Sequence, residues 1–209
     1  LIDQTTNKLK FEKTESIKLI IKDRILKLEN YLNSNGHITA ANRALSYFNE
    51  GYSYKDKTSG IDYFKFLCCL EKNFNEDTVK KLKNIADIIF SKDNLTVGIS
   101  CENSDFNKIK DIENVFDTKN IDYATDIIKK TGALSEGIIT SSKIQYVAKA
   151  ADYKMAGYNY SGKLMVLKNI LDLEYLWNTV RVQGGAYGCG CNFLRSGGMY
   201  MYSYRDPNL

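Results

Sequence analysis

Leu176-Trp177-Asn178-Thr179-Val180-Arg181-Val182-Gln183-Gly184-Gly185-Ala186-Tyr187-Gly188-Cys189-Gly190-Cys191-Asn192-Phe193, followed by a turn and Met199-Tyr200-Met201-Tyr202-Ser203-Tyr204-Arg205-Asp206-Pro207-Asn208, is the stretch that decides the fold. A helix runs into it, because Leu164, Leu167, Leu171, Leu176 and Val180 recur at helical spacing. Ser161 stands where a cap would open that helix. Gly184-Gly185 ends it, since paired glycines break a helix and allow positive φ. The period then changes to two. Tyr187, Cys189, Cys191 and Phe193 fall on one strand face and Ala186, Gly188 and Gly190 on the other. Arg195-Ser196-Gly197-Gly198 reads as a turn, and 199–204 alternates again, which predicts a helix feeding a hairpin. The small-residue face is expected to admit the close approach of another backbone. Asp206-Pro207 has the form of an N-cap with Pro at the first helical position.

Outward from this stretch, the chain has 209 residues, enough for one or two domains with cores of their own. Its 29 basic and 25 acidic residues leave a net charge of +4 and are interspersed, which gives no footprint for nucleic acid. No apolar run reaches the length of a membrane span, and no secretory pattern opens the chain, which begins on Leu as a piece of a longer protein would. The five cysteines, two adjacent (Cys68, Cys69) and two at i,i+2 (Cys189, Cys191), suit a reducing compartment better than a disulfide framework. Cys189 and Cys191 read as strand-core residues, not zinc ligands. Abundant Lys, Asn and Ile with a single Pro point to a bacterial, cytoplasmic protein.

In chain order, residues 1–13 are polar. A helix is expected from Thr14 on the stripe Ile17, Ile20, Ile21, Ile25, Leu28 and Leu32, ending at Asn33 to Gly36. A second helix is expected over 38–48 with Thr39 near its cap, then a loop over 50–60. Residues 61–70 read as a buried helix. Asn75 or Asp77 caps a further helix to Phe90 with core positions Val79, Leu82, Ile85, Ile88 and Ile89. Residues 95–100 read as a strand, and 103–135 as a short helix on Phe106, Ile109, Ile112, Val115 and Phe116 followed by polar connection. Residues 119–137 form the boundary between two structural units, 138–150 supply a strand or two, and 153–158 are irregular. The fold class is α+β, helices packed on a mostly antiparallel sheet.

The run Leu176-Trp177-x-x-Val180-Arg181-Val182-x-Gly184-Gly185-Ala186-Tyr187-Gly188, with Ser203-Tyr204-Arg205-Asp206-Pro207-Asn208 after it, resembles the insulinase-like (pitrilysin-type) zinc peptidases, most closely their presequence-protease branch. Asn35-Gly36-His37, Arg43-Ala44, Ser46-Tyr47-Phe48 and Gln145-Tyr146-Val147-Ala148 extend the resemblance over nearly the whole chain. It implies four related α+β domains in two halves closing around a chamber. On that reading 1–118 is the closing part of the third domain, 119–137 a linker, and 138–209 the opening part of the fourth. It also implies a zinc-dependent endopeptidase that degrades unfolded peptides, the N-terminal half of the same chain being the partner of this stretch.

The family's zinc site is His-x-x-Glu-His on a helix. The one histidine here, His37, is followed by Ile-Thr-Ala and reads as a satisfied loop or helix-cap residue, so zinc is expected in the full-length enzyme and not in this stretch. The resemblance makes Arg181 and Tyr187 the catalytic and substrate-binding pair, with Gly184 and Gly185 as the break that lets both project toward one point. Their chemistry suits those roles. A guanidinium offers fixed donors to peptide carbonyls, and a phenol offers one donor to a developing oxyanion. The bland alternative is a surface arginine and a tyrosine packed in a sheet. Gly184-Gly185-x-x-Gly188-x-Gly190 is not a phosphate loop, because the glycines follow a helix and precede a strand. Two further readings stand beside the enzyme: a non-catalytic subunit of the same fold, and a peptide-binding module using its hairpin edge. The isolated stretch is expected to self-associate through an uncovered sheet face.

Overall fold

The computed structural model describes residues 8–111, 134–140 and 143–208. Its elements are α1 (Thr14–Ser34), α2 (Gly36–Ser46), α3 (Glu50–Ser59), α4 (Ile61–Lys72), α5 (Glu76–Ile89), a 3-10 turn (Lys92–Asn94), α6 (Asn103–Ile109), β1 (Gln145–Asp152), α7 (Lys163–Ile170) running on as a π-helix (Leu171–Gln183), β2 (Gly188–Phe193) and β3 (Gly198–Asp206). The class is α+β with an antiparallel sheet in the order β1-β3-β2. The chain divides into two compact units, each discontinuous in sequence: 1–22 with 70–126, and 23–69 with 127–209.

The second unit carries the sheet. Its register sets Cys191 opposite Met201 and Phe193 opposite Met199. With Cys189, these side chains meet Leu164, Leu171, Leu176 and Val180 of the long helix, and Tyr153 closes the cluster. This is the helix-on-hairpin core that alternation and helical spacing predict. Burial of Leu176 and Phe193 contributes roughly 1.5–3 kcal/mol each. On the opposite face, Tyr146, Tyr200, Tyr202 and Tyr204 stand side by side through the pairs Tyr146↔Tyr204 and Ala150↔Tyr200. There α2 packs on β1 and β3. The packing is tight enough that a Cβ on Gly36 would lie 2.2 Å from the Tyr146 ring, and one on Gly198 would lie 2.9 Å from Leu45.

Arg43 of α2 ties this unit together. Its guanidinium donates to Asp56 (2.6 Å), Asp62 (2.9 Å) and both carboxylate oxygens of Glu136 (2.6 and 3.0 Å). The Tyr47 hydroxyl also donates to Glu136. Hydrogen bonds from Arg43 and then Tyr47 hold the Glu136 carboxyl down to about 2. Burial, with Glu136 next, pushes the Tyr47 phenol up to about 12. Glu136 falls in the expected linker; positions 119–133 of that segment lie outside the described residues.

In the first unit, Lys22 pairs with Glu71 at 3.5 Å, and the Lys18 ammonium sits 5.6 Å from the Phe74 ring centre. Asn75 and Thr78 form a capping box at the start of α5.

Several expectations are corrected. Residues 50–60 are not a loop: α3 forms there, with Asn49 as its cap accepting from the Tyr52 N–H at 3.2 Å, and with Ser53 and Asp56 buried. Cap and tertiary packing outweigh the weak helix signal of a polar, tyrosine-bearing segment. Residues 95–100 are not a strand, because β-branched alternation needs a partner and no described strand pairs with them. In α4 only Ile61 and Leu67 are buried, and Phe66 is 56% exposed. None of the α5 positions chosen as core is buried, and Ile20 of α1 is exposed.

The long helix opens at Lys163 with Gly162 as cap, so Ser161 offers a carbonyl and no side-chain cap. The small-residue face of β2 is filled by side chains, not by a backbone: a Cβ on Gly190 would meet the Tyr202 hydroxyl at 2.9 Å, and one on Gly188 would meet Tyr204 at 3.8 Å. Of the helix expected after Asn103, α6 covers Asn103–Ile109, and Ile112, Val115 and Phe116 lie outside the described residues.

Candidate substrate-binding site

At the end of the π-helix the hydrogen bonds lengthen their reach, with the Gly184 N–H donating to the Thr179 carbonyl and Ala186 N–H to Val180. Gly185 takes φ +78°, a backbone that an L side chain adopts only with strain. The chain therefore turns sharply out of the helix and enters β2 two residues later. That turn sets Arg181, on the last helical turn, beside Tyr187, which immediately precedes Gly188. The Arg181 guanidinium lies 6.0 Å from the Tyr187 ring centre, and both side chains are exposed, Tyr187 by 67%.

Tyr187 departs from the expected alternation. It shares parity with Cys189 and Cys191 but does not join their buried face. Its ring meets Tyr204 edge-on at 5.8 Å, and its N–H donates to the Arg205 carbonyl at 3.4 Å. The reading of Tyr187 as a tyrosine packed in a sheet core therefore fails, and the pair Arg181–Tyr187 is brought together at the surface as the Gly184-Gly185 break requires. Asp206-Pro207 closes against that break. A Cβ on Gly185 would sit 3.5 Å from Pro207, and the Asp206 carboxylate accepts from the Asn208 N–H at 3.0 Å, as an N-cap does.

Two neighbours of the pair escaped the sequence reading. Trp177 stacks on Arg181, its ring centre 4.1 Å from the guanidinium carbon. Arg205 lies 5.9 Å from the Tyr187 ring. The i,i+4 spacing of Trp177 and Arg181 on a helix was a visible signal. Nothing in the sequence announced Arg205, whose place depends on the β2–β3 register.

His37 is not a loop residue. It is the second residue of α2, ringed by Tyr204 (4.7 Å), Tyr202 (5.4 Å) and Tyr146 (6.2 Å). Its Nδ1 is buried without a hydrogen-bond partner, so it is packed and not satisfied, and burial lowers its pKa. Cys191 is buried and takes the core role expected of it. Its N–H donates to Asp172 at 2.8 Å, and its thiol is pushed up to about 12 by burial and then by that carboxylate. Burial raises the Asp172 carboxyl, but Lys168 and the Cys191 N–H outweigh it, leaving the group lowered. Among the described residues no group of three His, Cys, Asp or Glu side chains is placed to hold a metal ion. With the lone imidazole enclosed by phenol rings, the residues present do not fit a zinc centre.

Two family models match the chain. Residues 135–209 fit the PreP C-terminal domain, and residues 1–70 fit the peptidase-associated domain of the pitrilysin-type peptidases. The chain belongs to the pitrilysin-type peptidase family. Relatives extend the match over the full chain. Protein HypA of Clostridium perfringens is 38% identical over 213 residues, covering 100% of this chain and 22% of its own length. Presequence protease 1, chloroplastic/mitochondrial, of Arabidopsis thaliana is 27% identical, covering 100% of this chain and 20% of its own length. The mitochondrial presequence protease of Drosophila melanogaster is 27% identical, with 100% and 21% covered. The chain thus spans about a fifth of the length of the curated relatives it matches. No described helix is long and apolar enough to cross a membrane.

Proposed function

We propose that this stretch supplies substrate-binding and transition-state-stabilising groups to a zinc-dependent endopeptidase that degrades unfolded peptides in a closed chamber. The zinc ligands lie elsewhere in the longer protein, in the half that this stretch faces across the chamber. On this reading residues 1–118 are the closing part of a third domain, 119–137 a linker and 138–209 the opening part of a fourth. The protein is bacterial and cytoplasmic, in keeping with clostridial and borrelial relatives.

The observation that carries the proposal is the exposed Arg181–Tyr187 pair at the Gly184-Gly185 turn. Arg181 presents a planar fork of donors to substrate carbonyls. Tyr187 presents one hydroxyl donor where negative charge develops on the attacked carbonyl oxygen. Gly184 and Gly185 line the approach and set the direction of both side chains. The test is Tyr187→Phe in the full-length peptidase, which keeps the ring and removes the donor. Turnover should fall by about 10²–10³, with kcat affected at least as strongly as KM. Arg181→Lys should also be damaging, because an ammonium cannot reproduce the fork. Near-normal kcat for Tyr187→Phe would sink the assignment.

A further inference from the structure

The two guanidiniums around Tyr187 have no carboxylate to hold them: among the described residues neither Arg181 nor Arg205 makes an ion pair. What orients them is aromatic. Trp177, Arg181, Tyr187 and Arg205 alternate ring, cation, ring, cation, with separations of 4.1, 6.0 and 5.9 Å, and the Arg205 guanidinium also lies 5.4 Å from the Tyr204 ring. Trp177 is 43% exposed and lies outside the buried cluster under the long helix, so its indole is not explained by the core.

Arg205 is held in an unusual way. It is the one described non-glycine residue with positive φ, +49°, a region that arginine seldom occupies. That backbone delivers its carbonyl to the Tyr187 N–H at 3.4 Å while its side chain covers the Tyr187 ring. A strained residue that grips its neighbour by backbone and side chain together is a place to look for function.

We propose that Trp177 and Arg205 are positioning residues for the Arg181–Tyr187 pair, Trp177 setting the direction of the Arg181 fork and Arg205 that of the Tyr187 phenol. Neither touches the reacting atoms. Each acts by narrowing the arrangements of an exposed side chain, so that its donor already points at the substrate before binding. The inference rests on the proposed role of Arg181 and Tyr187.

The test is a set of double-mutant cycles in the full-length peptidase, read as kcat and KM on an unstructured quenched-fluorescence peptide, with thermal melts alongside. Trp177→Leu and Arg205→Gln should each lower kcat/KM by about two- to fivefold, the size of an exposed cation–π contact, with the melting temperature unchanged. Trp177→Phe and Arg205→Lys, which keep the ring face and the charge, should recover most of the loss. In an Arg181→Ala background Trp177→Leu should cost nothing more, and in Tyr187→Phe the same should hold for Arg205→Gln. If Trp177→Leu lowers the melting temperature, Trp177→Met replaces it in the cycle. Undiminished losses in those backgrounds would overturn the proposal, as would normal activity of both positioning variants beside a crippled Tyr187→Phe. Normal turnover of Tyr187→Phe and Arg181→Lys would instead remove the site itself, and the inference with it.

Discussion

Arg43 is the residue whose loss the second unit should feel most. Its side chain is one-tenth exposed and answers three carboxylates, of which Asp56 is almost wholly buried. Arg43→Met keeps much of the volume and strands that negative charge. Breaking a buried pair from one side costs about 3–5 kcal/mol, and denaturant unfolding should show a loss in that range. The pH dependence follows from Glu136. Its folded pKa, about 2, lies below its ordinary value of 4.5. The stabilisation is therefore fully present above the ordinary value and is lost as pH falls through that window toward 2. Glu136→Gln should lower the melting temperature at neutral pH and flatten its fall between pH 4.5 and pH 2; an unchanged acid limb would refute the pairing.

At the scale of elements, the junction between the π-helix and β2 is the most constrained piece of backbone. Gly185→Ala puts a Cβ on a residue at φ +78°, where an L side chain is disfavoured by about 1–2 kcal/mol. The variant should melt lower, and it should also lose turnover, because the same turn sets Arg181 beside Tyr187. Gly36 is constrained from outside: a Cβ there would fall 2.2 Å from the Tyr146 ring. Gly36→Ala should force α2 off β1 and cost on the order of 1–3 kcal/mol, measurable by denaturant titration. By contrast, Asn49→Ala removes only the α3 cap and should cost about 1 kcal/mol.

For the whole molecule, the two halves of the family match have a physical meeting place. Asn35-Gly36-His37, Arg43 and Tyr47 come from the segment fitted by the peptidase-associated model, and Tyr146 and Glu136 from the segment fitted by the C-terminal model. They meet in one packed interface, Gly36 and His37 against Tyr146, and Arg43 and Tyr47 on Glu136. Residues matched to the C-terminal model thus complete their packing only with α2 present. A polypeptide of residues 135–209 alone should show poor tertiary order, with near-ultraviolet circular dichroism well below that of the 209-residue chain. Elemental analysis of the purified 209-residue chain should find no tightly held zinc, since its described side chains gather no ligand set.

Short-range order was legible in the residues themselves. Helical spacing and a glycine pair dictated the long helix and its stop, a period of two dictated the hairpin, and Asn75 dictated where α5 begins, because each of these depends only on neighbours along the chain. The family motif pointed to Arg181 and Tyr187 for the same reason: both sit on either side of one local turn. What lay beyond reach depended on partners distant in sequence. Residues 95–100 had strand composition but no strand to pair with, and residues 50–60 looked like loop until Asp56 found Arg43. The α5 stripe had helical periodicity, yet periodicity does not say how much of a face will be covered. Tyr187 left the buried face, and Arg205 arrived beside it, only through the β2–β3 register. His37, Tyr146 and Tyr204 are separated by most of the chain, and only the folding of α2 onto the sheet puts the imidazole among those rings.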